Sequence, residues 1–300
     1  MILVTGGTGF IGRSLVQQLV ESGEEVRTLL HPSSESPKLP LGIPVESVVC
    51  SLTDEEGLRS ALRGAEVIYH LAGSERASTQ SQLDLTDIQG TASLLRVAKS
   101  VGVKQFIFLS HLGADRNSAY PVLKAKGYAE NNIILSEIPY TIIRSAVVFG
   151  PGDQFTTSFA RQLKGTFLPF LLPGDGMTLL QPIWINDITA CLQVANRNPD
   201  LIDRTISIGG VEMLHFRHIL NLIMKTIGIR RLLLPFSSPY LRYLALMNEK
   251  LHRPHVSFYW LDYLSADRTT NIDTLPRYFG ILPARFESNI KYLKDLKLRP

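Results

Sequence analysis

The sequence predicts an α/β protein: a doubly wound parallel sheet followed by a smaller C-terminal substrate-binding region. Three observations predict it. The chain opens on a glycine-rich turn set between an apolar run and an amphipathic one, "MILVTGGTGFIG" at residues 1–12. Short runs that are apolar throughout then alternate with stretches of helical periodicity. Past "GPGDQF" (150–155) that rhythm stops. Strands apolar on both faces need cover on both faces, which crossover helices of a parallel sheet provide.

The elements follow in order. Ile2, Leu3 and Val4 read as a buried strand, and Ile11, Leu15 and Leu19 recur at helical spacing, so Gly6, Gly7, Gly9 and Gly12 occupy a strand-to-helix turn. Glycine there permits positive φ or lets a ligand approach the main chain. The first amides of a helix lack internal partners and carry the positive end of its dipole, so the turn can cradle a phosphate. Val26 to Leu30 closes a βαβ unit, and "HPSSESPKLP" (31–40) is a polar loop. "VESVVC" (45–50) is a strand, "DEEGLRSALRG" (54–64) a helix, and "VIYHLAG" (67–73) a strand. A long helix from about Leu83 to Val101 leads to the strand "FIFLS" (106–110), and a further helix precedes the strand "YTIIRSAVVFG" (140–150). Residues 1–155 are thus expected to form a dinucleotide-binding domain. Residues 156–300 form a mixed region, in which 182–200 returns to the sheet and 211–300 builds the small domain.

Composition narrows the function. With 300 residues, 45% of them hydrophobic, a large core is within reach. The balance of 31 basic against 27 acidic residues, a net charge of +4, does not argue for nucleic acid. Cys50 and Cys191 fit neither a disulfide framework nor a paired metal-ligand spacing, so they read as buried apolar residues and no metal is expected. The longest apolar stretches, "FLPFLLPG" and "RRLLLPF", fall short of the roughly 20 residues of a spanning helix. No charged leader precedes the first strand, and the expectation is a soluble cytoplasmic protein.

"TGGTGFIG", "HLAG" (70–73), "FIFLS", a Tyr and Lys after it, and "RSAVVFGPGD" (144–153) together resemble the short-chain dehydrogenase/reductase superfamily. The likeness is to its extended and atypical branches, including the NmrA-like proteins, the NAD-dependent epimerase/dehydratases and the NAD(P)H-binding accessory subunit of respiratory complex I. "PIWINDITACL" (182–192) resembles the strand and helix that return to the sheet, and "FGILPARFESNIKYL" (279–293) the C-terminal helix. The resemblance implies a Rossmann sheet. It also implies that Gly6, Gly9 and Gly12 hold the family's glycine positions with Thr8, Phe10 and Ile11 lining the cradle, and that Ala72 and Gly73 let the adenosine half lie against the fourth strand.

An NAD site normally places a carboxylate at the end of the second strand, and an NADP site a cation. Here Leu30 stands where the acid is usual and His31 where NADP-binding relatives often have Arg, with Ser33 and Ser34 as further phosphate donors. NADP(H) is favoured, with NAD(H) as the alternative.

The superfamily's proton-transfer Tyr is assisted by a Lys four residues later, because a nearby cation favours phenolate. In "SAYPVLKAKGYAE" (118–130) the literal match is Tyr120 with Lys124. Pro121, however, suits the first helical position, which leaves Tyr120 outside the helix. Atypical relatives often read Pro, then Lys five residues on, then Glu four after that. Pro121, Lys126 and Glu130 fit this, with Val122 in the place of the Tyr. Both registers are carried forward. Ser110 ends the fifth strand, but His111 is the residue that aligns with the superfamily's catalytic Ser, and it could replace that Ser as donor or the Tyr as acid.

Three functions compete. One is an NADPH-dependent oxidoreductase acting on an apolar small molecule, for which Phe236, Tyr240, Tyr243, Phe258, Tyr259, Trp260 and Tyr263 would line a pocket or, equally, build the small domain's core. Another is a nucleotide-sugar epimerase or dehydratase, which would need an intact Tyr–Lys pair. The third is a non-enzymatic NAD(P)H-binding assembly or sensor protein, with Arg230, Arg231, Arg242, Lys250 and Arg253 facing a protein partner or an anionic membrane.

Overall fold

The structure, a computed structural model, describes residues 1–32, 39, 42–73, 80–165, 168–243 and 258–296. The chain divides into two compact units: residues 1–145, 185–207 and 275–281 form the first, and residues 146–184, 208–274 and 282–300 the second.

The first unit holds strands β1 (Ile2–Thr5), β2 (Val26–Leu30), β3 (Glu46–Val49), β4 (Val67–His70), β5 (Gln105–His111) and β6 (Tyr140–Ser145). Between them run α1 (Phe10–Glu21), α2 (Glu55–Ala61), α3 (Gln80–Leu83), α4 (Thr91–Ser100) and α5 (Pro121–Ile134). Each strand pair from β6 to β3 is parallel. Every residue of β1 is buried, and Leu15, Val16 and Leu19 form the buried face of α1, as the apolar spacing predicts. The sheet order is β11-β6-β5-β4-β1-β2-β3, with β11 spanning Arg204–Ile208. The chain therefore starts in the middle of the sheet, winds outward to β3, and crosses back to β4 on the other side of β1. The carboxyl ends of β1 and β4 are the switch point at which open α/β sheets bind ligands.

Three differences from the sequence reading have physical causes. The run 140–150 splits at Ala146, because the amide of Ala146 bonds to Ile208 and β7 (Val148–Phe149) pairs instead with β10 (Ile183–Trp184). The first unit thus ends at Ser145 rather than at 155, and takes back 185–207, including α7 (Ile185–Arg197), and 275–281. The expected helix 83–101 carries a π-helical segment, Asp84–Gly90, ahead of α4. The segment 279–293 is not one helix but short turns at Phe286–Asn289 and Lys291–Asp295.

In the second unit, α6 (Thr156–Gly165) and α8 (Phe216–Ile227) enclose a core of Phe149, Phe155, Phe159, Phe216 and Phe286. Small sheets pair β8 (Phe170–Pro173) with β13 (Leu233–Phe236), and β9 (Leu179–Leu180) with β12 (Leu214–His215). The Asp of "GPGD" is structural. Asp153 accepts from the amides of Gly150, Thr156 and Thr157 and from the hydroxyls of Thr156 and Tyr292, which starts α6 and ties it to the C-terminal turns.

Candidate cofactor and active site

The glycine turn separates into residues the fold requires and one it does not. Gly6 has φ +73°, and a Cβ there would lie 2.6 Å from the Ala72 amide; one at Gly7 would meet the Thr28 hydroxyl, and one at Gly12 the carbonyl of Gly6. These three let β1, β2, β4 and α1 approach one another. At Gly9 a Cβ meets only the Gly6 carbonyl, at 3.2 Å, and the residue is exposed. Gly9 is also the N-cap of α1, with no side chain capping its first amides and no acid in its first turn. A cradle that a Cβ would fill, with donors unclaimed by side chains, fits a dinucleotide pyrophosphate. Arg13 braces it by donating to the Thr8 carbonyl at 2.8 Å.

Beside the cradle lies a buried polar chain absent from the sequence reading. His70, at the end of β4, is fully buried. Its Nδ1 lies 2.7 Å from the Thr5 hydroxyl and its Nε2 2.9 Å from the Thr91 hydroxyl. Thr91 donates its proton to the Asp87 carbonyl at 2.7 Å, so it must accept from Nε2–H. Nδ1 is then the acceptor for Thr5, whose oxygen receives the Ala72 amide at 3.3 Å. Every group is used once with the imidazole neutral. Burial, aided by the Lys126 charge, lowers the His70 pKa from 6.5 to about 3. The relay fixes the ends of β1 and β4 and the Ala72 backbone together.

The helix α5 starts as Pro121 dictates. Tyr120 is its N-cap in extended conformation (φ −93°, ψ 120°), and Val122 and Lys126 lie within the helix. Lys124 is exposed, whereas Lys126 is buried, with Nζ 3.1 Å from Asp87 Oδ1 and 5.3 Å from the Phe108 ring centroid. Asp87 is presented by the π-helical segment, a distortion that often marks functional sites. A Cβ on Gly73 would lie 2.7 Å from the Lys126 ammonium. Gly73, expected against the adenosine half, leaves room for this ammonium. Glu130 is held in a two-pronged pair by Arg144 of β6, which anchors α5 to the sheet.

Ser110 is 1% exposed, and among the described residues its hydroxyl has no hydrogen-bond partner. Strand alternation sets it on the same face as Phe108, the face Lys126 covers. His111, half-buried, pairs in register with Ser145. His31 is exposed just beyond β2; Ser33 and Ser34 lie outside the described residues.

Of the other expected residues, Tyr263 is buried, and Tyr259 and Trp260 pack against the second unit's core. Phe236 and Phe258 pack on Leu241 and Leu261, leaving Tyr240 and Tyr243 exposed. Arg242 pairs with Asp262, Arg231 donates to the Leu163 carbonyl, and Arg230 is exposed; Lys250 and Arg253 lie outside the described residues. Cys50 and Cys191 are buried free thiols, and burial beside Asp54 pushes the Cys50 pKa up to about 11. Among the described residues no helix is long and apolar enough to cross a membrane.

Comparison with known proteins agrees with this geometry. The family model described as NAD(P)H-binding matches residues 6–162. The chain is 30% identical over 217 residues to NADH dehydrogenase [ubiquinone] 1 alpha subcomplex subunit 9, mitochondrial, of Arabidopsis thaliana, covering 70% of this chain and 54% of that protein. It is 28% identical over 202 residues to the ceramide reductase of Caulobacter vibrioides, covering 67% and 62%. It spans about half to two thirds of the length of these relatives. The fold is that of UDP-glucuronic acid 4-epimerase from Bacillus cereus, solved with NAD: TM-score 0.75, 21% identity, 99% of each chain covered. With more than half of its length matched and the glycine cradle in place, the chain belongs to the NAD(P)H-binding family.

Proposed function

We propose that the protein is an NADPH-dependent oxidoreductase acting on an apolar carbonyl-type molecule. The observation that carries this reading is the burial of Lys126 at the carboxyl end of the sheet, where its ammonium abuts Gly73 and Asp87. A buried Lys–Asp pair is costly to desolvate, and buried ionisable groups at a ligand-binding edge cluster at functional sites. Bound NADPH supplies a hydride. Lys126 would hold the nicotinamide ribose, and His111 would deliver the proton that balances the hydride. Tyr120, ahead of the helix, would stand outside that step. The names of the relatives, a ceramide reductase and a ubiquinone-linked subunit, favour an apolar substrate. The missing carboxylate at Leu30 and the exposed His31 favour NADPH over NADH. The buried free thiols accord with a reducing, cytoplasmic setting.

A second reading, NADPH as a structural ligand in an assembly, is favoured by Val122, which cannot transfer a proton from the position four residues before Lys126. An epimerase reading is weakened by the same residue. Calorimetric titration with NADPH and NADH, followed by a screen of quinones, enones and ketones for NADPH oxidation, separates them. Turnover supports the enzyme; tight binding without turnover supports the structural ligand.

A further inference from the structure

The charges of the chain are segregated between its units. The second unit carries 15 Lys and Arg against 9 Asp and Glu, whereas the first carries 16 against 18. All of the excess positive charge, and more, therefore sits on the second unit. The same unit exposes large apolar side chains together: Leu168 is 72% exposed, Leu232 62%, Tyr240 67% and Tyr243 62%.

These positions are neighbours by construction. In β13, Leu233 pairs with Phe170 and both pack against the core, so alternation turns Leu232 and Leu234 to the opposite, outer face. The amide of Phe170 bonds to the Leu232 carbonyl at 2.8 Å, which brings Leu168, two residues before Phe170, to the same edge. Phe236 ends the strand with its ring 6.4 Å from that of Tyr240. Tyr240 and Tyr243, three residues apart in a helical turn, share a face while Leu241 between them is buried. Cations flank this edge. Arg230 is exposed, and Arg231 bonds the Leu163 carbonyl at the end of α6, beside Lys164. Asp262, a carboxylate next to the tyrosines' helical turn, is already engaged by Arg242.

We infer that this edge of the second unit docks on an anionic lipid surface. Exposed leucines with interfacial tyrosines suit the boundary between headgroups and acyl chains, and the exposed Arg230 beside them suits its negative potential. A contiguous apolar patch marks an interaction site, and the net positive charge of the unit that carries it, with Arg230 exposed at its edge, favours an anionic occupant. The docking stands on the surface itself. Its use, delivery of an apolar substrate from the bilayer, rests on the function proposed above.

The test is co-sedimentation of the full chain with phosphatidylcholine vesicles with and without phosphatidylglycerol. The expected result is binding that needs phosphatidylglycerol and weakens as salt is raised. Leu232→Ser/Leu234→Ser and Arg230→Glu should each lower the bound fraction at least several-fold while NADPH affinity, read by calorimetry, stays unchanged as proof of folding. Equal binding to both vesicles, absence of binding to either, or wild-type binding by both variants would overturn the inference; the second result would leave the edge to an acidic protein. Vesicle binding without turnover of any acceptor would refute the proposed activity and leave the docking intact.

Discussion

Lys126 Nζ and Asp87 Oδ1 lie 3.1 Å apart, with both side chains 2% exposed. The pair joins the helix that carries the ribose-binding candidate to the π-helical segment before α4. Breaking a buried pair by removing one partner strands the other charge, which is worth about 3–5 kcal/mol, whereas removing both is far milder.

Lys126→Met should therefore lower stability by roughly that amount in urea unfolding, and Asp87→Asn/Lys126→Met should recover most of it. Neither variant should recover NADPH affinity, which should fall about ten- to a hundredfold, the equivalent of about 1.5–3 kcal/mol for a charge-assisted bond to a ribose hydroxyl. Lys124→Ala, altering an exposed side chain, should be silent in both assays. Full affinity in the folded double variant would remove Lys126 from the site.

The glycines should divide by assay. Gly12→Ala places a methyl 2.1 Å from the Gly6 carbonyl and should prevent folding or lower the melting temperature sharply. Gly9→Val should fold, since its nearest obstacle is a single carbonyl at 3.2 Å, yet lose at least tenfold in NADPH affinity, about 1.4 kcal/mol. Calorimetry giving wild-type affinity for a folded Gly9→Val protein would rule out the cradle.

His70 ties stability to pH. Its pKa falls from 6.5 to about 3 on folding, so between those values the unfolded chain binds the extra proton. Stability supplied by the neutral imidazole is complete above about pH 6.5 and is lost as pH falls, by at most about 1.4 kcal/mol per pH unit. Denaturant unfolding from pH 7 to pH 4 should show this slope, and His70→Gln should flatten it. An unchanged slope in the variant would mean that His70 is not the group responsible.

Much of this architecture was legible because apolar runs and glycines report it directly. The glycine turn between β1 and α1, the parallel sheet implied by βαβ repetition and the start of α5 at Pro121, with Val122 and Lys126 inside the helix, follow from patterns of a few residues. The relay was missed for a different reason. Asp87 and Thr91 lie on the stripe that contains Leu83 and Leu94, and a carboxylate on an apolar stripe was the available signal. Likewise His70 ends a strand otherwise apolar, and only the tertiary partners Thr5 and Thr91 explain why it is tolerated there. The break at Ala146 was not legible either: residues 140–150 are uniformly suited to a strand, and the change of partner at Ile208 is a long-range event.

Cofactor choice turns on the end of β2. His31→Asp should shift preference from NADPH toward NADH by at least tenfold, since a carboxylate there repels the 2′-phosphate and accepts from ribose hydroxyls. Competitive titrations of both nucleotides would show it, and an unchanged ratio would place the 2′-phosphate away from His31.

The proposed activity is tested most directly with NADPH deuterated at the nicotinamide C4, incubated with the wild-type protein and a panel of quinones, enones and ketones, and read by mass spectrometry of the products. The account predicts that deuterium appears on carbon in a reduced acceptor, and that Lys126→Met abolishes the transfer while Tyr120→Phe leaves most of it. Saturable NADPH binding with no label in any product would contradict hydride transfer, and a complete loss with Tyr120→Phe would restore Tyr120 and Lys124 as the proton-transfer pair.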